Sequence, residues 1–143
     1  DEYFSKILCE KMAQKMMENM VGISGDFYIH IQPMLMSSAE RDIQISVEEY
    51  LKNNPFNFYT IYVYSDLKEK LTDLYVKIRD SVSKIGKIDG NLMLYEMSSE
   101  KISEVQEYVD THTRIYGEHD DMTEEYLVRT FEFEKGNFKD TEF

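Results

Sequence analysis

The sequence predicts an α+β fold: an antiparallel or mixed sheet of about four to six strands, packed by an N-terminal helix and a long amphipathic helix over 66–85. Three observations predict it. Leu67, Leu71, Leu74, Ile78, Val82 and Ile85 recur at the spacing that puts them on one helical face. The run just before them, Phe58, Tyr59, Ile61, Tyr62, Val63 and Tyr64, has the aromatic and β-branched content of a strand. Near the end of the chain, residues 126–133 alternate Leu127, Arg129, Phe131 and Phe133 against Tyr126, Val128 and Thr130, which is the period of a sheet with two unlike faces.

Phe4, Ile7, Leu8, Met12, Met16 and Met20 recur at three and four residues, so 3–21 reads as a helix that stops at Gly22. Residues 27–31 (Phe, Tyr, Ile, His, Ile) read as a strand, and Pro33 ends it or places it at an edge. Residues 37–54 fit two patterns. Ser38 caps a helix using Ile43, Val47, Tyr50 and Leu51, whereas Ile43, Ile45 and Val47 alternate as a strand over 42–48, which is the preferred reading. Asn53-Asn54-Pro55 is a break. Asp66 and Glu69 are placed to satisfy the first amides of the 66–85 helix, and Gly86 is placed to end it. An Asp89-Gly90 turn then leads into a strand over 92–97. Ile102, Val105 and Val109 fit a helix over 99–110 or an extended segment. Residues 117–125 read as an acidic loop, and a polar tail is expected from about 136. With no repeat or linker, 1–143 is expected to be a single domain.

Composition narrows the function classes. The chain has 143 residues, 28 acidic and 16 basic, with a formal net charge of −12. Eight Phe and 11 Tyr supply core material, so pervasive disorder is not expected. A net charge of this sign repels phosphate backbones, which argues against sequence-specific nucleic-acid binding. The charge is uneven: residues 1–97 carry a net −4 and residues 98–143 a net −8. One Cys allows no intrachain disulfide. There is no membrane-length apolar run and no signal-peptide pattern, which leads to the expectation of a cytoplasmic or particle-borne protein.

The sequence carries few chemical motifs. The six glycines make neither a dinucleotide fingerprint nor a phosphate loop. Glu118-His119-Asp120-Asp121, with His112 upstream, lacks the oxygen spacing and the turn glycine of a hard-cation loop, so no metal or cofactor is expected. Glu48-Glu49 and Glu124-Glu125 are adjacent pairs, and adjacent side chains diverge on a strand or a helix, so neither is a ready dyad. Nothing in the sequence puts Cys9 beside His30, His112 or His119, and His30 reads as a packing residue. The expectation is a non-enzyme that acts through its surfaces, with Glu118, Asp120, Asp121, Glu124 and Glu125 as the candidate interaction residues.

The element order resembles the phage tail-terminator, or head–tail joining, family. The residues that carry the resemblance are Thr60-Ile61-Tyr62-Val63-Tyr64-Ser65-Asp66, the helix after them, and the closing stretch His119-Asp120-Asp121-Met122-Thr123-Glu124-Glu125-Tyr126-Leu127-Val128-Arg129-Thr130-Phe131-Glu132-Phe133. The resemblance is one of pattern over about half of the chain. It implies a small structural subunit that forms a homo-oligomeric ring, contacts other tail proteins and caps a tail tube, where an acidic lumen lets DNA pass without gripping it. The extra helix-like stretch 99–110 and the segment 37–54 depart from that pattern. A competing reading is an acidic inhibitor, of the immunity or anti-defence type, that binds a basic nuclease or similar partner. A small enzyme built on Glu118, His119 and Asp121 is the third reading.

Overall fold

The computed structural model describes residues 2–20, 22–33, 58–66, 70–111 and 123–139. The elements are α1 (Glu2–Glu18), β1 (Phe27–Pro33), β2 (Phe58–Ser65), α2 (Leu71–Ile85), β3 (Asp89–Glu96), α3 (Ser99–Thr111), a 3-10 turn (Glu124–Tyr126), β4 (Leu127–Glu134) and β5 (Asn137–Phe138). The fold is α+β, and its sheet is mixed. The five strands lie in chain order, with β2 parallel to β3 through α2 and every other neighbouring pair antiparallel. The segment 37–54, most of the 117–125 loop and residues 67–69 at the start of the expected long helix lie outside the described residues.

Strand alternation divides the core in two. On one face Ile29, Ile31, Tyr59, Ile61, Val63, Leu92, Leu94, Phe131 and Phe133 pack with α1 and α2. On α1 the buried line is Cys9, Ala13 and Met16, continued by Met20 in the turn after it, while Met12 is only half-buried, so the packed stripe is rotated slightly from the one expected through Met12. On α2 Leu71, Leu74, Ile78 and Val82 are buried, as the periodicity predicts; Tyr75 joins them, Ile85 is half-buried, and Leu67 lies outside the described residues. Gly86 ends this helix at φ 72°, its N–H donating to the Val82 carbonyl at 3.1 Å. At the described start of α2, Lys70 makes no side-chain cap. The amides that Asp66 is expected to cap belong to residues 67–69, outside the described residues, and its carboxylate also ties two other elements together. It accepts the Asp26 N–H at 3.1 Å and the Ser99 hydroxyl at 2.9 Å, linking the entry to β1 with the first residue of α3.

On the other face α3 lays Ile102 and Val105 over Tyr62, Tyr64, Tyr95 and Met97. Residues 99–111 are therefore a helix, which settles the ambiguity there.

Two expectations are corrected. Asp89 and Gly90 are the first residues of β3 and form no separate turn, because Gly90 supplies the positive φ of 154° that brings the strand against Tyr59. The chain also stays with the sheet after residue 136. Lys135 and Gly136, at φ 51° and 79°, make a two-residue hairpin, and β5 returns to pair Phe133 with Phe138 and Glu134 with Asn137. The apolar Phe138 drives this return. It is 8% exposed, edge-on to Tyr75 at 5.6 Å, while Tyr75 stacks on Phe131 at 4.4 Å. The Ser83 hydroxyl donates to the Gly136 carbonyl at 3.1 Å, which ties the hairpin to α2.

Candidate interaction surface

The α3-side face of the sheet is a ladder of cross-strand rows, read directly from the register. Tyr28, Tyr64 and Tyr95 form the first row, His30, Tyr62, Met93 and Thr130 the second, and Gln32, Thr60, Asn91 and Glu132 the third. Polarity thus rises along the face from the end beneath α3. The rings stack along and between rows: Tyr64 on Tyr95 at 4.9 Å, Tyr28 on Tyr64 at 5.9 Å and His30 on Tyr62 at 5.8 Å. Gln32 donates its side-chain amide to the Tyr62 hydroxyl at 3.0 Å.

Burial sets the electrostatics of this face. It pushes the Tyr28 phenol well above the usual tyrosine range, with help from the negative charges of Asp110 and Glu10. Burial also lowers His30 from 6.5 to about 4, outweighing the hydrogen bond to Gln32 and the charge of Asp110, which act the other way. His30 is therefore a neutral packing ring at physiological pH.

Cys9 and His30 both line a cleft of about 120 Å³ between α1 and β1, together with Glu10, Ala13, Met17 and Tyr28. They do not form a nucleophile–base pair. Cys9 belongs to the α1-side core with Ile29 and Ile31, and alternation along β1 turns His30 to the opposite face, where it stacks on Tyr62. The Tyr59 phenol on the α1 side is raised to about 12 by burial, with the Cys9 thiol adding to the effect. The cleft is also small beside ordinary ligand pockets of roughly 300–1,000 Å³. Among the described residues no three His, Cys, Asp or Glu side chains gather as a metal site, and no helix is long and apolar enough to cross a membrane.

The second surface is the outer flank of β4. This strand has eight residues; among the described residues β5 has two, which pair with Phe133 and Glu134, and the Lys139 N–H adds a bond to the Glu132 carbonyl at 3.0 Å. That bond shows which backbone groups face outward. Glu132 points its carbonyl to the flank, and by alternation Thr130 does the same. No strand among the described residues pairs with the flank at Leu127, Val128 and Thr130. Leu127 is 36% exposed and Val128 46%, and with Phe58 they are the exposed large apolar residues of the described chain. Val128 is also the extra residue of a bulge, since Leu94 pairs with Arg129 and Tyr95 with Leu127.

Of the acidic residues singled out from sequence, Glu124 and Glu125 lie exposed in the 3-10 turn that leads directly into Leu127. Glu132, exposed on the same strand, stands at the far end of the open stretch. Glu118, Asp120 and Asp121 lie outside the described residues, as do His112 and His119. Sequence reasoning finds the two glutamates but misses Leu127 and Val128, which read as part of an ordinary alternating strand.

Compared with known proteins, the chain matches no family model and no curated protein. Among solved structures it is similar to the crystal structure of a DUF5037 family protein from Ruminococcus gnavus ATCC 29149, with a TM-score of 0.63 at 17% identity. The match covers 98% of this chain and 66% of that one, so this chain spans slightly less than two thirds of that protein. At this identity the likeness is one of fold.

Proposed function

We propose that the chain is a non-catalytic interaction protein that works by binding other proteins. The observation that carries this reading is the coincidence, on one strand flank, of exposed Leu127 and Val128 with outward-facing backbone at Thr130. The resemblance to tail terminators gives one form of it, a ring-forming assembly subunit whose copies join head to tail. The glutamates bordering the flank favour the other form, an acidic binder of a basic partner, because Glu124, Glu125 and Glu132 attract cationic surfaces and repel copies of themselves.

The solution mass of the purified chain at tens of micromolar, read by light scattering, separates the two forms. A particle of fixed stoichiometry that Val128→Lys disperses supports the ring. A monomer that binds basic proteins in a salt-sensitive way supports the acidic binder. A substrate turnover that survives Val128→Lys and is lost when Glu118, His119 and Asp121 are replaced would overturn both.

A further inference from the structure

Resting on the acidic-binder form of that reading, we propose that the cleft between α1 and β1 takes up one lysine side chain of a basic partner protein, its methylene stem inside and its ammonium at Glu10. The cleft lies at the opposite end of the sheet from β4, since β1 is the first strand in the order. Ala13 and Met17 from α1 and Ile29 and Ile31 from β1 give it apolar walls, and Glu10 and Tyr28 add polar groups. Its volume is about 120 Å³. An apolar cavity of roughly 150 Å³ takes one benzene, a group of about six heavy atoms. On that scale the cleft takes about five, the number from Cβ to Nζ of a lysine and about two fewer than in an arginine side chain.

Charge selects a cationic end for that stem. Glu10 is exposed and lines the cleft. Asp110, exposed near the end of α3, approaches the same strand from the other face of the sheet, because its charge and that of Glu10 both act on the Tyr28 phenol. Among the described residues neither carboxylate is in an ion pair: the pairs join Arg79 to Asp80, Lys101 to Glu104 and Lys139 to Glu134. His30 also lines the cleft, but it is neutral and brings no competing positive charge. A lysine buries its stem along apolar surface and keeps its ammonium at the wet rim, so walls and rim suit its two parts separately. A second copy is disfavoured as the donor, because each chain carries a net −12.

The probe is N-acetyl-lysine amide, titrated into the full chain at low salt and followed by its backbone amide shifts in nuclear magnetic resonance. Two analogues share the probe's backbone: norleucine, which keeps the stem without the ammonium, and arginine. The expected result is saturable millimolar binding, with shifts confined to Ala13, Met17, Ile29, Ile31 and their neighbours, and about tenfold weaker binding of each analogue. Glu10→Gln weakens lysine binding about threefold, and Glu10→Gln with Asp110→Asn about tenfold, as befits exposed carboxylates. Glu107→Gln, exposed elsewhere on α3, leaves it unchanged. Ala13→Leu fills the cleft and abolishes binding, and circular dichroism reports whether that variant keeps its fold. Equal binding of the lysine and norleucine probes would overturn the proposal, as would an affinity that the double substitution leaves unchanged. Shifts confined to other elements, or none that saturate at tens of millimolar probe, would overturn it as well. If basic proteins still bind the chain in a salt-sensitive way after any of these results, the acidic-binder reading stands and the cleft is not its anchor. Probe binding by a chain that binds no basic protein would overturn both, by making the ligand a free amine. An oligomer of the isolated chain that Ala13→Leu disperses would overturn the proposal by making the occupant a second copy.

Discussion

Gly90 and Tyr59 approach so closely across the β2–β3 pair that a Cβ on Gly90 would fall 1.8 Å from the Tyr59 carbonyl oxygen. The contact is backbone against backbone, so no rotamer change relieves it. Gly90→Ala therefore has to move a central strand as well as strain a φ of 154°. The expected cost is about 3 kcal/mol or more, read as a lowered urea midpoint. Gly22→Ala is the control. Its φ is 95°, but nothing lies within 4 Å of the added carbon, and about 1–2 kcal/mol is expected.

The stacked His30 ring makes stability depend on pH. Its folded value of about 4 lies below the ordinary 6.5, so the unfolded chain binds its proton first. Stability from this group is fully present above about pH 6.5, declines as pH falls towards 4, and shows no further change below that. The loss is at most about 3 kcal/mol over that window. His30→Phe keeps a ring against Tyr62 and removes the titration. Urea midpoints measured from pH 7 to pH 4 should fall less steeply in this variant than in the native chain.

Phe138 tests the final strand. A polar tail would tolerate any change there, whereas a ring 8% exposed against Tyr75 and Phe133 would not. Phe138→Ala should cost about 3 kcal/mol in thermal or urea unfolding. Lys139→Ala breaks only an exposed ion pair with Glu134 and should fall within about 0.5 kcal/mol of the native chain.

Whether a residue's role is legible in the sequence depends on whether that role is local. The α2 stripe is readable because all its apolar positions serve one core, and Gly86 closes it by its own φ. The helix over 99–111 is ambiguous because only Ile102 and Val105 are buried, which is too short a stripe to fix a period. Asp66 reads as a cap because it precedes a helical run. Its described bonds go to Asp26 and Ser99, respectively 40 and 33 residues away, and no local pattern encodes those partners. Gly90 reads as a turn residue because Asp-Gly usually makes one. At the candidate site Glu124 and Glu125 are visible as charge. The exposure of Leu127 and Val128 is not, because it depends on where β4 sits in the sheet order.

Leu127 and Val128 should contribute little to folding. Each is more than a third exposed, so Leu127→Lys and Val128→Lys should change stability by about 0.5 kcal/mol or less. A much larger loss in denaturant titration would show that this flank is packed in the folded chain.

The solution mass of the full chain, alone and mixed with a basic protein, measured with and without Val128→Lys, tests the central claim most directly. The predicted result is a particle of fixed stoichiometry or a salt-sensitive complex that Val128→Lys disperses, while the urea midpoint stays within about 0.5 kcal/mol of the native chain because Val128 is 46% exposed. An assembly that Val128→Lys leaves intact would contradict it.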